Sequence, residues 1–132
     1  MDSAQVRVPV GSPYGFSDED WKIIASRRAN RHDFHVVMGY QFVSEHYDSE
    51  ALIANVKRLF DIIVADYNNL PNTPRVAPKF RALHAGPGGH LFNEIARDIL
   101  SADIAVFETS DLNPNVMIEL GVALTWGVRC VG

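Results

Sequence analysis

The chain is 132 residues long and carries a single cysteine, Cys130, so no internal disulfide can form and no cysteine-rich zinc cluster can be built. Its five histidines (His32, His35, His46, His84 and His90) show no metal-ligand spacing. Basic residues are outnumbered, 12 against 16, and both signs are interspersed, which argues against a nucleic-acid backbone as partner. The densest basic cluster, Arg27-Arg28-Ala29-Asn30-Arg31, falls at an expected helix end, where positive charge suits the dipole. No apolar run approaches the roughly 20 residues that span a bilayer, and MDSAQVRVPV is not a signal peptide. A membrane partner is therefore not expected, and a reducing cytoplasm is the natural setting. There is no internal repeat, no GxGxxG, and no P-loop, since Gly86-Pro87-Gly88-Gly89 lacks the following Lys-Ser/Thr.

What the chain does have is an apolar content of 47%, enough for one real core. Residues 1–16 are marked by Pro, Gly and Ser without periodicity and read as a flexible arm; residues 17–132 read as a single domain. Ser17 opens a short helix with a capping-box start, running to about Ala29. Residues 33–38 (DFHVVM) predict the first strand, followed by Gly39-Tyr40-Gln41-Phe42. Asp48 or Ser49 caps a long amphipathic helix ending near Asp66. A weak strand is expected around residues 79–83, and GPGG leads into a helix carrying Leu91, Phe92, Ile95, Ala96, Ile99 and Leu100 on one side. The alternation implies a parallel α/β sheet with right-handed crossovers and helices on both faces. In such sheets ligands sit at the carboxyl ends of the strands, which makes Tyr40 and Gln41 candidates for ligand contact.

The most informative stretch is residues 101–127, SADIAVFETSDLNPNVMIELGVALTWG. DIAVF (103–107) predicts a strand covered on both faces, and ETSDLN (108–113) is turn chemistry. Asn113-Pro114 opens a helix as N-cap and first helical residue, and Gly127 closes it. Val116, Met117, Ile118, Leu120, Val122, Ala123, Leu124 and Trp126 make this helix apolar on nearly every side, the pattern of a buried helix. Glu119 sits in its middle. A buried carboxylate is costly or has its pKa raised, so it is a candidate functional group; Asn115 at i−4 and the cap Asn113 stand on the turn before it. A residue count alone leaves open the alternative of a narrow solvated stripe through Glu119, Asn115 and Thr125. The last strand is expected at residues 128–131, directly before the end of the given sequence. The face it leaves open is met either by the helix around Trp21 or by further chain and a fused partner domain.

The segment NPNVMIELGVAL, preceded by ADIAVFETSD, resembles the motif of nucleoside 2-deoxyribosyltransferase-like and bacterial TIR-like domains. That resemblance implies a flavodoxin-like open sheet and cleavage of N-glycosidic bonds in nucleosides or NAD, with Glu119 as the catalytic carboxylate. It also implies that Asp103 contacts the base or orients its loop, and that Asn113 and Asn115 bind ribose hydroxyls or hold the carboxylate. Tyr40 and Gln41 would line the pocket from the first strand. Asn113 stands where the transferases carry a sugar-binding Asp, and Val36 where they carry a Tyr; the first departure bears on deoxyribosyl transfer in particular. The expected partner is a nucleotide or nucleoside, with NAD ahead of a free deoxynucleoside and consumed as substrate, and with no metal or redox cofactor required. Self-association is expected from the TIR-like side of the resemblance. The rival readings are a nucleotide-sensing module without turnover, a nucleoside 2-deoxyribosyltransferase, and a TIR-type assembly module.

Overall fold

A computed structural model describes residues 16–41, 44–83, 90–111 and 113–132. In chain order the elements are α1 (Asp18–Ala29), β1 (Asp33–Gly39), α2 (Ser49–Asn68), β2 (Ala77–Ala82), α3 (His90–Leu100), β3 (Ile104–Phe107), α4 (Pro114–Thr125) and β4 (Arg129–Val131). The strands form one all-parallel sheet in the order β2-β1-β3-β4, an open α/β sheet of flavodoxin-like type. β1 and β3 are its central neighbours, with Val36 beside Ile104 and Gly39 beside Phe107. The expected arm lies outside the described residues except Phe16, which packs edge-on against Trp21.

Local chemistry sets the ends of the elements. Ser17 and Asp20 form a reciprocal capping box at the start of α1. Asp48 caps α2 through the Glu50 N–H, and Asn113 caps α4 with Pro114 as the next residue. After α4 the chain turns at Gly127, whose φ of +72° is the left-handed region that glycine enters without strain.

Strand alternation then sorts the side chains. Val37 of β1 and Ala105 and Phe107 of β3 point to one face, where they meet Ile95 and Ile99 of α3 and Val116 and Ala123 of α4 in one core cluster. α1 packs on the outside of α3. Arg27 fixes it there with a 2.6 Å ion pair to Asp98, and Arg97 adds a 3.4 Å contact back to Asp20. His35 is buried on the same side and accepts a hydrogen bond from Arg81 at its Nδ1. Burial, then the Arg81 charge, push its pKa below the usual value, so the ring is neutral near pH 7. α2 packs mainly on β2, and Phe60 meets Phe34, which lies out of phase with His35 and Val37 and so belongs to the opposite face.

Two expectations need correction. α4 is not buried on every side: Val116, Glu119 and Ala123 face inward, whereas Met117, Ile118, Leu124 and Trp126 are exposed. The helix lies on the sheet's outer layer, with the sheet beneath it and α3 beside it, and just past its end Trp126 meets Trp21 of α1 edge-on at 6.0 Å. Likewise β3 is fully enclosed only on the side of Ala105 and Phe107; Ile104 and Val106 are half-buried. Among the described residues, no helix is long and apolar enough to cross a membrane.

Candidate functional site

Residues 116, 119 and 123 fall on one line of α4, spaced three and four apart, and the two apolar members anchor that line in the core. Glu119 is therefore carried inward by its neighbours, and only 5% of its surface remains exposed. The carboxylate ends over the last residue of β1. A Cβ placed on Gly39 would lie 2.6 Å from Glu119 Oε1 and 2.7 Å from the Phe107 ring. Glycine is thus required there to make room for the acid, which sits at the carboxyl edge of the two central strands.

Among the described residues no hydrogen-bond donor or cation is paired with this carboxylate. Burial alone raises its pKa from the ordinary 4.5 to about 7. At neutral pH the group is divided between acid and anion, the condition that suits proton transfer and the stabilisation of a developing positive charge.

Polar groups from two loops surround this edge. Asn113 uses Oδ1 to cap α4, accepting from the Asn115 and Val116 N–H groups at 2.8 and 3.3 Å. That fixes the orientation of its amide, and Nδ2 donates to Gln41 Oε1 at 2.9 Å. An aspartate could cap the helix here but could not donate to Gln41, so asparagine does both. The backbone of Gln41 is held in turn by Tyr47, whose hydroxyl accepts from the Gln41 N–H and donates to its carbonyl at 2.9 and 3.0 Å. Tyr40 is buried beside them; burial, then the neighbouring Tyr47, raise its phenol pKa. Tyr47 is raised as well, by burial and then by the carboxylates of Asp111 and Glu108, against the hydrogen bond with Gln41. A second tie between the loops runs from Ser44 Oγ to Asp111 Oδ2 at 2.7 Å, with His46 Nε2 3.4 Å from Asp111 Oδ1.

Of the expected site residues, Glu119, Tyr40, Gln41 and Asn113 are therefore gathered at one edge. Asn115 contributes a capped N–H and is itself exposed. Asp103 is not brought to this group. It precedes β3 at the opposite, amino end, where its carboxylate accepts the His35 N–H at 2.7 Å and ties the start of β3 to β1. Phe42 and residues 86–89 lie outside the described residues. Tyr47 and Asp111 were not singled out from sequence. The position of the loops after β1 and β3 at the ligand-binding edge was the available signal. Among the described residues no cluster of three or more His, Cys, Asp or Glu is arranged to hold a metal ion.

The fold and the edge define an open parallel α/β domain with a buried carboxylate, without a partner among the described residues, at the carboxyl edge of its central strands. Comparison with protein-family models, curated proteins and solved structures returned no match to this chain.

Proposed function

We propose that this chain cleaves the N-glycosidic bond of a nucleotide-type substrate, NAD ahead of a free deoxynucleoside, with Glu119 as the reacting carboxylate. One observation carries the reading: Glu119 is buried over Gly39, with no counter-charge among the described residues, at the sheet edge where such folds bind ligands. An anion held without a counter-charge is stabilised most when positive charge appears beside it. Glycosidic cleavage supplies that charge, because the bond's electron pair leaves with the base and the sugar becomes oxocarbenium-like. Glu119 then stabilises C1′ or bonds to it, and water or another acceptor completes the exchange. With NAD the departing nicotinamide is already cationic, so the leaving group needs no proton. Gln41 and Asn113 stand where sugar hydroxyls could exchange with their mutual hydrogen bond.

The test is incubation with NAD and, separately, with deoxynucleosides, following release of nicotinamide or free base. Glu119→Gln should cost about a hundredfold or more in rate, roughly 3 kcal/mol of transition-state stabilisation, in a folded protein. Wild-type turnover should rise with pH through about 7 as Glu119 ionises. Equal turnover by both proteins would refute the assignment. A second reading is favoured by the Asn113 amide, both ends of which are committed to the cap and to Gln41. On that reading the same edge senses a nucleotide without turnover, and NAD would bind with no nicotinamide released.

A further inference from the structure

The side of α4 turned away from the sheet is apolar and without charge. Between Pro114 and Trp126 the one ionisable group is Glu119, which faces inward. Met117, Ile118, Leu124 and Trp126 are 39%, 52%, 62% and 56% exposed. Helical spacing sets Met117, Ile118 and Leu124 around Gly121, where an added Cβ would meet nothing within 4 Å. The result is a shallow apolar trough with Gly121 as its floor. Together with Trp21, itself 43% exposed, these side chains present on the order of 500 Å² of apolar surface, near the upper end of what a monomer leaves uncovered.

An aromatic trail leads from this trough to the start of the described chain. Trp126 meets Trp21 at a ring-centroid distance of 6.0 Å, and Trp21 meets Phe16 at 5.0 Å. Phe16 therefore places the junction with residues 1–15 beside the C-terminal end of α4. Within those residues the sequence Val6-Arg7-Val8-Pro9-Val10 alternates. The proline biases Val8 toward extended backbone, and extended geometry sets the three valines on one side and Arg7 on the other. Val6 to Val10 would span about 13 Å, against about 10 Å from Met117 to Leu124 along the helix. Six residues separate Val10 from Phe16, a reach of at most about 20 Å.

We propose that residues 6–10 of this chain dock on the outer side of α4, with Val6, Val8 and Val10 over the Gly121 trough and Arg7 toward solvent. Three matches single out this occupant. An uncharged helix face meets an uncharged valine edge, and the two agree in length. Phe16 and the two tryptophans already hold the end of the segment at the mouth of the trough. Docking inside one chain also avoids the entropy of bringing two molecules together, so a patch of this size suffices.

Trp21 and Trp126 are the chain's two tryptophans, so its intrinsic fluorescence reads this surface directly. In the full chain, Val8→Asp/Val10→Asp should shift the emission to longer wavelength and raise quenching by acrylamide, with the far-ultraviolet circular dichroism unchanged. Gly121→Arg should do the same from the helix side. Its side chain enters open space, and replacing a mid-helix glycine favours the helix, so the fold is retained. It should also speed tryptic cleavage after Arg7 about tenfold, because the protease cuts the undocked population. Combining all three substitutions should match the stronger of the two variants, since both remove one contact. Unchanged fluorescence in Val8→Asp/Val10→Asp, or effects that add in the combination, overturns the proposal. Protection that survives the valine changes in a protein of doubled mass overturns it in favour of a second copy on this face. Fluorescence and cleavage are read without any turnover, so neither result depends on the glycosidic activity proposed above.

Discussion

Replacing Glu119 by Gln keeps the shape of the side chain and removes the charge that burial penalises. The consequence has a definite sign. Raising a carboxyl pKa from 4.5 to about 7 means that the folded chain holds its proton more tightly than the unfolded one. The associated stability is fully present below pH 4.5 and is lost as pH rises through about 7. Each pH unit between the two values is worth about 1.4 kcal/mol, so ionised Glu119 costs the fold about 1 kcal/mol at pH 5 and about 3 kcal/mol at pH 8. Urea titrations of both proteins at pH 5, 6, 7 and 8 give the comparison. The Gln variant carries a buried amide whose own cost is independent of pH, so the trend is informative rather than the absolute difference. Its stability relative to wild type should climb by about 2–3 kcal/mol between pH 5 and pH 8. His35, whose pKa is lowered, makes the wild type lose stability as pH falls below 6.5, but it is present in both proteins and cancels. A flat difference across this range would mean that Glu119 is solvated and ordinary, and the site would lose its central group.

Gly39→Ala should destabilise by about 2–3 kcal/mol, because its Cβ would meet both Glu119 and the Phe107 ring; a denaturant melt reads the loss. Asn113→Ala should cost about 1–2 kcal/mol through the lost cap and the lost bond to Gln41, while Asn113→Asp should keep the cap and lose only the donor. Asp103→Ala should cost about 1–2 kcal/mol by freeing the His35 N–H, yet leave turnover of a nucleotide substrate unchanged, since it lies at the far end of β3. A fall in turnover at unchanged stability would place Asp103 in the site after all.

Most of the element order was legible because each boundary carries its own chemistry. Ser17, Asp48, Asn113-Pro114 and Gly127 mark ends that the backbone then adopts. Apolar runs gave β1 and β3 without ambiguity. The inward aim of Glu119 was legible only by analogy: periodicity identified an apolar helix but not which side of it meets the sheet, and the exposed Ile118 and Leu124 look no different in sequence from the buried Val116 and Ala123. Asp103 was misleading for a related reason. A strand has two ends, and Asp103 stands at the amino end of β3, where it ties to the His35 N–H, away from the carboxyl edge that carries Glu119. The tie of Ser44 to Asp111 was illegible because it joins segments more than 60 residues apart, and that of Tyr47 to Gln41 because it closes a loop without periodic pattern.

The place of β1 in the sheet has a consequence for how the chain reaches this state. Both of its neighbours come late: Asp33 pairs with Ala77, and Val36 pairs with Ile104. Its HVVMG core therefore has no local partner to zip against, and both of its backbone edges stay open until distant segments arrive. Loop closure over such spans is slow compared with helix formation, so α1 and α2 can form while β1 still waits. During synthesis the open strand is the segment most exposed to pairing with another chain. A nascent chain halted before β3 should aggregate, whereas one extended through β4 should not.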